Sequence, residues 1–288
     1  MLLRPNDIDN SYQNLRPVQR DLLKVLALVD SPESKSKILQ VALKAKLKGP
    51  NKQPYNAISL GRALDELRGM HLIKKNLEQN YQVHPLAYAH LMRQALQDRR
   101  CAAWRKAILA IMPGMKDIRQ AHRYPQYLLR DASFALFNNN YKAFKKAIHL
   151  LLDKTDAYPE AIYKQLFIER FGKQNIHQLA PAFQFTFYRS QLGDMILSLE
   201  NVSAPLETIQ SISSELQQED LELIRYYVSL HALLRGDWQI VQKHWVKQDS
   251  FHALLFKGWL YFAQGYNIKA LNRYERALQQ YRKKQGYR

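Results

Sequence analysis

Apolar side chains recur along most of this chain at helical spacing. Val18, Leu22, Val25, Leu26 and Val29 fall at i, i+4, i+7, i+8 and i+11, which predicts a helix over residues 17–29. Ser31 and Pro32 read as an N-cap followed by proline at the first helical position. A second helix is therefore predicted from there to about Lys46, with Ile38, Val41, Ala42 and Ala45 inward, until Gly49, Pro50, Asn51 and Pro54 break it. Asn56 is placed to cap a third helix, with Leu60, Ala63, Leu64 and Leu67 as its apolar stripe and Gly69 as its stop. The period then changes. Leu72 and Ile73 begin a short strand, residues 76–80 turn, and Tyr81, Gln82 and Val83 alternate as a second strand that Pro85 ends. Residues 1–14 lack periodicity and are expected to form a flexible arm.

Beyond residue 85 the strand period does not return. Amphipathic helical stripes are predicted at 86–112, 124–137, 141–153, 158–171, 176–192, 205–217, 219–235, 238–246, 251–264 and 267–283. They are short and closely joined, as in stacked helix pairs.

The order helix, helix, helix, hairpin, ending in LGRALDELRGMHLIKKNLEQNYQVHPL, resembles a winged-helix domain over residues 15–90. Later, LLFKGWLYFAQGYNIKALNRYERAL resembles a tetratricopeptide repeat. Gly258 and Tyr261 stand where the first helix needs a small residue and an aromatic, and Gly265 falls at the turn. Ala270, Tyr274, Ala277 and Leu278 follow at the packing positions of the second helix. Small residues let two helices approach closely, and the aromatics fill the gaps beside them. Lys257 and Leu254 depart from the pattern, and no proline follows near residue 282. The expected fold is mostly α: a winged helix over 15–90, then an irregular α-solenoid of helix pairs over 91–288 ending in a tetratricopeptide-like unit. The chain ends directly after its best repeat, without a polar cap, so the array is expected to continue in a longer protein.

Composition narrows the function. Forty-three Lys and Arg against 25 Asp and Glu give a net charge of +18, which favours polyanionic partners. By thirds the excess is +8 over residues 1–100, +6 over 101–200 and +4 over 201–288, so no segment is a dense basic tail. Glycine is scarce, at 10 of 288, and no phosphate loop, dinucleotide fingerprint, zinc-protease helix or serine elbow occurs. The single Cys101 leaves no cysteine cluster, and nine scattered histidines form no i, i+4 pair. The readings are therefore no catalytic residues, no metal, no cofactor and no small-molecule substrate. With no signal peptide and no long apolar stretch, a soluble cytoplasmic chain away from membranes is expected.

DNA contact is the main chemistry on offer. In a DNA-reading winged helix the third helix enters the major groove and the wing touches backbone. Here that helix would show Asn56, Ser59 and Arg62 outward, with Arg62 the one base reader. Lys44, Lys46, Lys48 and Lys52 precede it, and the wing supplies Lys74 and Lys75. Against this stand Asp65 and Glu66, two carboxylates on a helix that must approach phosphates. The alternative is that this helix packs against the repeats, which would bury Arg62. The arrangement is similar to the N-terminal region of large bacterial Swi/Snf-type helicase-related proteins. That resemblance implies a non-catalytic recruitment region of a DNA-acting ATPase, with protein partners on the repeats and mostly non-specific DNA contact. The other reading is a transcription regulator or adaptor, such as the maltose-activator type. There a nucleotide-binding module precedes the winged helix, and only about 15 residues do so here.

Overall fold

The computed structural model describes residues 11–114, 124–155, 158–198, 200–245 and 249–284. Most of the expected arm and the terminal Arg288 lie outside the described residues. The chain divides into two compact units, Met1–Phe183 and Gln184–Arg288. The expected division near residue 90 falls inside the first of them.

The first unit begins with α1 (Pro17–Val29), α2 (Lys35–Lys44) and α3 (Ala57–Gly69). An antiparallel hairpin follows, β1 (Ile73–Lys75) and β2 (Tyr81–Val83), in the register Ile73↔Val83 and Lys75↔Tyr81. It is the only sheet among the described residues. Two local expectations are corrected. Helix α2 starts at Ser34, whose side chain accepts from the Lys37 amide, not at Ser31. Glu33 instead forms an isolated bridge to Tyr81, the two exchanging both backbone hydrogen bonds, at 3.0 and 2.8 Å. This pairing pins the hairpin to the start of α2. At the end of α3 the left-handed residue is His71 (φ 58°), not Gly69.

The predicted stripe at 86–112 is two helices, α4 (Pro85–Gln97) and α5 (Cys101–Ile111). The break is made by Asp98, which leaves helical geometry (ψ 127°) and accepts from the Arg100 amide at 3.0 Å. After it come α6 (Pro125–Phe137), α7 (Tyr141–Lys154), the short α8 (Pro159–Tyr163), a π-helical stretch Lys164–Phe171 and a 3₁₀ turn Lys173–Gln178. One apolar core runs through this unit from Tyr12 and Leu15, by way of Leu60, Leu64 and Leu67 of α3, to Trp104 and Tyr127.

Asp98 is the polar counterpart of that core. It receives Lys24 Nζ of α1 at 2.9 Å and Arg100 Nε and Nη2 at 3.0 Å each. Arg100 also grips Asp21 through two bonds of 2.7 Å. Hydrogen bonds from the Arg100 side chain, then those from its backbone and from Lys24, hold the Asp98 carboxyl well below the usual carboxylate range. A carboxylate depressed on folding adds stability above its unfolded pKa, about 4, and that stability is lost as pH falls through the folded value. Acid titration of the folded fraction should therefore show a stability loss beginning below about pH 4 that Asp98→Asn flattens. An unchanged acid limb in the variant would show that Asp98 carries no such coupling.

The second unit takes over within α9 (Pro181–Leu197) and continues with α10 (Ser203–Ser211), α11 (Gln218–Leu234), α12 (Trp238–Trp245), α13 (Phe251–Ala263) and α14 (Asn267–Lys284). Trp245 anchors its later core. It stacks on Phe256 with centroids 5.4 Å apart and donates its indole N–H to Ser229 Oγ at 2.6 Å.

Candidate nucleic-acid interface

Asn56 caps α3 and spends its side chain doing so. Its Oδ1 accepts from the Ile58 and Ser59 amides at 3.0 and 2.8 Å, and Ser59 Oγ accepts from the Asn56 amide at 3.0 Å. Asn56 and Ser59, both predicted to face the duplex, are thus engaged in a reciprocal cap, and each retains only part of its bonding capacity for a ligand. Arg62 is exposed and pairs with nothing among the described residues. It is not buried against later helices, as the packing alternative requires.

The two carboxylates of α3 are occupied. Glu66 Oε2 accepts from Arg16 Nη2 at 2.6 Å and from Gln19 Nε2 at 2.7 Å, both from the start of α1. Asp65 lies 3.5 Å from Arg68 on the same helix. The pairs are exposed and add little stability, but each places a cation beside the anion that would repel a phosphate.

The predicted cations are spread over three elements. Lys44 ends α2, where a cation also suits the helix dipole. Lys46, Lys48 and Lys52 are exposed on the connection to α3, with Lys46 and Lys52 in left-handed backbone (φ 54° and 61°). That connection is itself a small turn: Lys48 bridges Pro54, and Gly49 N bonds Gln53 O at 2.8 Å. Tyr55 closes it from inside with its ring against Gly49, and burial pushes its hydroxyl up to about 12. On the hairpin Lys74 is exposed, whereas Lys75 lies half-buried over the Tyr81 ring at 5.2 Å. Burial, then Lys74, pushes His84 down, which suits the neutral ring that accepts from the Leu86 amide at the start of α4.

Lys35 escaped the sequence reading. Its ammonium sits 3.7 Å from where a Cβ on Gly61 would stand, beside Arg62. A basic residue before a short helix carries no sign of this; only the crossing of α2 and α3 brings it there.

Burial pushes the Cys101 thiol up, away from the thiolate a nucleophile needs. Among the described residues no three His, Cys, Asp or Glu side chains are grouped to hold a metal ion. No helix among them is long and apolar enough to cross a membrane.

In the second unit the predicted packing residues meet in the α13–α14 hairpin. A Cβ on Gly258 would stand 2.6 Å from Tyr274 Cε1, so glycine is what lets this ring lie on α13. Gly265 turns the chain at φ 79°, Ala270 and Ala277 are buried, and Tyr261 faces Tyr266 edge-on at 6.4 Å. Leu278 differs from the expectation: it is 46% exposed, because within this hairpin the buried line of α14 runs through Ala270 and Ala277. Gly258→Ala should lower stability by about 1 kcal/mol, an overlap of about 1–3 kcal/mol less the ~1 kcal/mol that alanine gains in a helix. Adding Tyr274→Leu should reverse the sign. Denaturation followed by tryptophan fluorescence measures both, and a stabilised single variant would mean that the ring swings aside freely.

Compared with known proteins, the chain matches no family model, no curated protein and no solved structure.

Proposed function

We propose that this chain is a non-catalytic binding module. Residues 15–90 act as a winged helix that touches duplex DNA, and the later helices act as a tetratricopeptide-like array for protein partners. The observation that carries the DNA reading is the capture of Glu66 by Arg16 and Gln19. It removes the strongest objection to α3 approaching phosphates and leaves Arg62 open beside Lys35. The basic connection before α3 and Lys74 on the hairpin extend this surface on both sides. The role that fits is recruitment within a larger DNA-acting ATPase of the Swi/Snf-type helicase-related kind. Binding should be weak and mostly indifferent to sequence, since Arg62 is the only side chain offered to base edges and Asn56 and Ser59 are engaged in their cap.

One observation favours the adaptor reading. The apolar core runs unbroken from α3 and the hairpin to Trp104 and Tyr127, as in a winged helix that serves as a structural joint. Titration of a labelled duplex at two salt concentrations separates the two. If about four cations meet phosphates, log Kd against log salt should change with a slope of roughly 3–4. No binding at low salt would leave the adaptor.

A further inference from the structure

Several large apolar side chains of the α13–α14 hairpin lie open to water, and such side chains, where they cluster, mark interaction sites. Trp259 and Phe262 of α13 are 50% and 63% exposed, and Ile268 and Leu271 of α14 are 78% and 57% exposed. Leu271 and Leu278 each follow one of the buried alanines, Ala270 and Ala277, and so form a stripe two turns long on one flank of α14. Lys269 and Arg276 each precede the same alanines and form a second flank.

Charge selects the occupant. Residues 251–284 carry seven Lys and Arg and one carboxylate, Glu275. Asp249 satisfies Lys257 at 3.1 Å and lies 3.7 Å from Arg276, and Lys269 rests over the Tyr266 ring at 4.8 Å. Asp249 also acts on Arg273, whereas Arg282 and Lys283 are exposed and have no acidic partner among the described residues. A second copy of the chain would bring the same cations to this surface. Duplex DNA would match the charge but bring nothing to cover Ile268, Leu271 and Phe262. A polypeptide helix with apolar residues at i, i+3, i+4 and i+7 and carboxylates on its flanks meets both demands.

We propose that this hairpin docks an acidic amphipathic helix of a protein partner. The inference deepens the reading of the second unit as a protein-binding array and is independent of the DNA reading.

The test uses the full chain and two labelled synthetic peptides of about 18 residues with the same leucine stripe, one flanked by glutamate and one by lysine. Fluorescence anisotropy should show the glutamate peptide binding at least about tenfold tighter. Leu271→Ser with Phe262→Ser should weaken it by about tenfold or more, and Arg282→Glu with Lys283→Glu, both exposed, should reverse the preference. All four sites are on the surface, and far-ultraviolet circular dichroism checks that the variants stay folded. Equal binding of both peptides, lost on Leu271→Ser, would overturn the acidic partner and leave the array reading standing. If neither peptide binds and the chain sediments as a dimer dispersed by Leu271→Ser, the face pairs with itself and the proposal fails. If neither binds and the chain is monomeric, the proposal and the array reading fail together.

Discussion

Asp30→Ala is expected to cost the protein about 3–5 kcal/mol, the usual penalty for removing one partner of a buried ion pair. Asp30 closes α1 in left-handed backbone (φ 48°) with its amide bonded to Leu26 O at 3.2 Å. Its carboxylate pairs with Arg170 of the π-helical stretch, 140 residues later, and both side chains are largely shielded from water. Arg170 also donates to Ser133 Oγ of α6 at 2.6 Å, and the Tyr88 ring of α4 lies 5.7 Å from its guanidinium. Four elements meet on this pair, so its loss strands a buried cation. At about 2–4 °C per kcal/mol for a unit of this size, the melting midpoint should fall by roughly 10 °C. Asp30→Asn tolerates the left-handed backbone and removes only the charge, so it should cost less than the alanine variant. Replacing both partners, with Asp30→Asn and Arg170→Met, should recover part of the loss, because the uncompensated charge goes with the arginine. A cost below about 1 kcal/mol for Asp30→Ala, the level of an exposed pair, would show that solvent reaches the site.

Reversing Lys46, Lys48 and Lys74 to glutamate should weaken duplex binding by about 10²–10³-fold near 0.1 M salt. Each neutralised phosphate changes log K by ~0.9 per decade of salt, and three such contacts are lost. The loss should be the same on every sequence, because phosphate contacts carry no base information. The salt slope should fall by about 3 at the same time. Lys74 is chosen over Lys75 because Lys75 lies on the Tyr81 ring while Lys74 stands free of it. Arg62→Ala, by contrast, should leave the slope nearly unchanged and alter whatever preference exists by about 1–3 kcal/mol. If Arg62→Ala instead lowers the melting midpoint and no duplex is bound, α3 is a packing helix and the adaptor reading holds. A triple variant that binds as well as the parent would move the phosphate contacts to other cations.

Local pattern sufficed for α1, α3 and the hairpin. Their apolar spacing, the Asn56 cap and the change of period at Leu72 are each written within a dozen residues. The α13–α14 pair was equally legible, since a close helix crossing demands small residues such as Gly258 and Ala270 wherever it occurs. Contacts distant in sequence decided the rest. Ser31 lost its capping role because Tyr81, fifty residues on, draws Glu33 into an extended pairing. Asp98 broke the long helical stripe because Lys24 and Arg100 converge on its carboxylate. The charge of α3 reads from sequence as a balance of acid and base. Only the packing of α1 beside α3 gives Glu66 to Arg16 and Gln19 and leaves Arg62 open. Periodicity records which side of an element turns inward. It does not record which distant side chain arrives there, and an ion pair or an open apolar face is settled by that arrival.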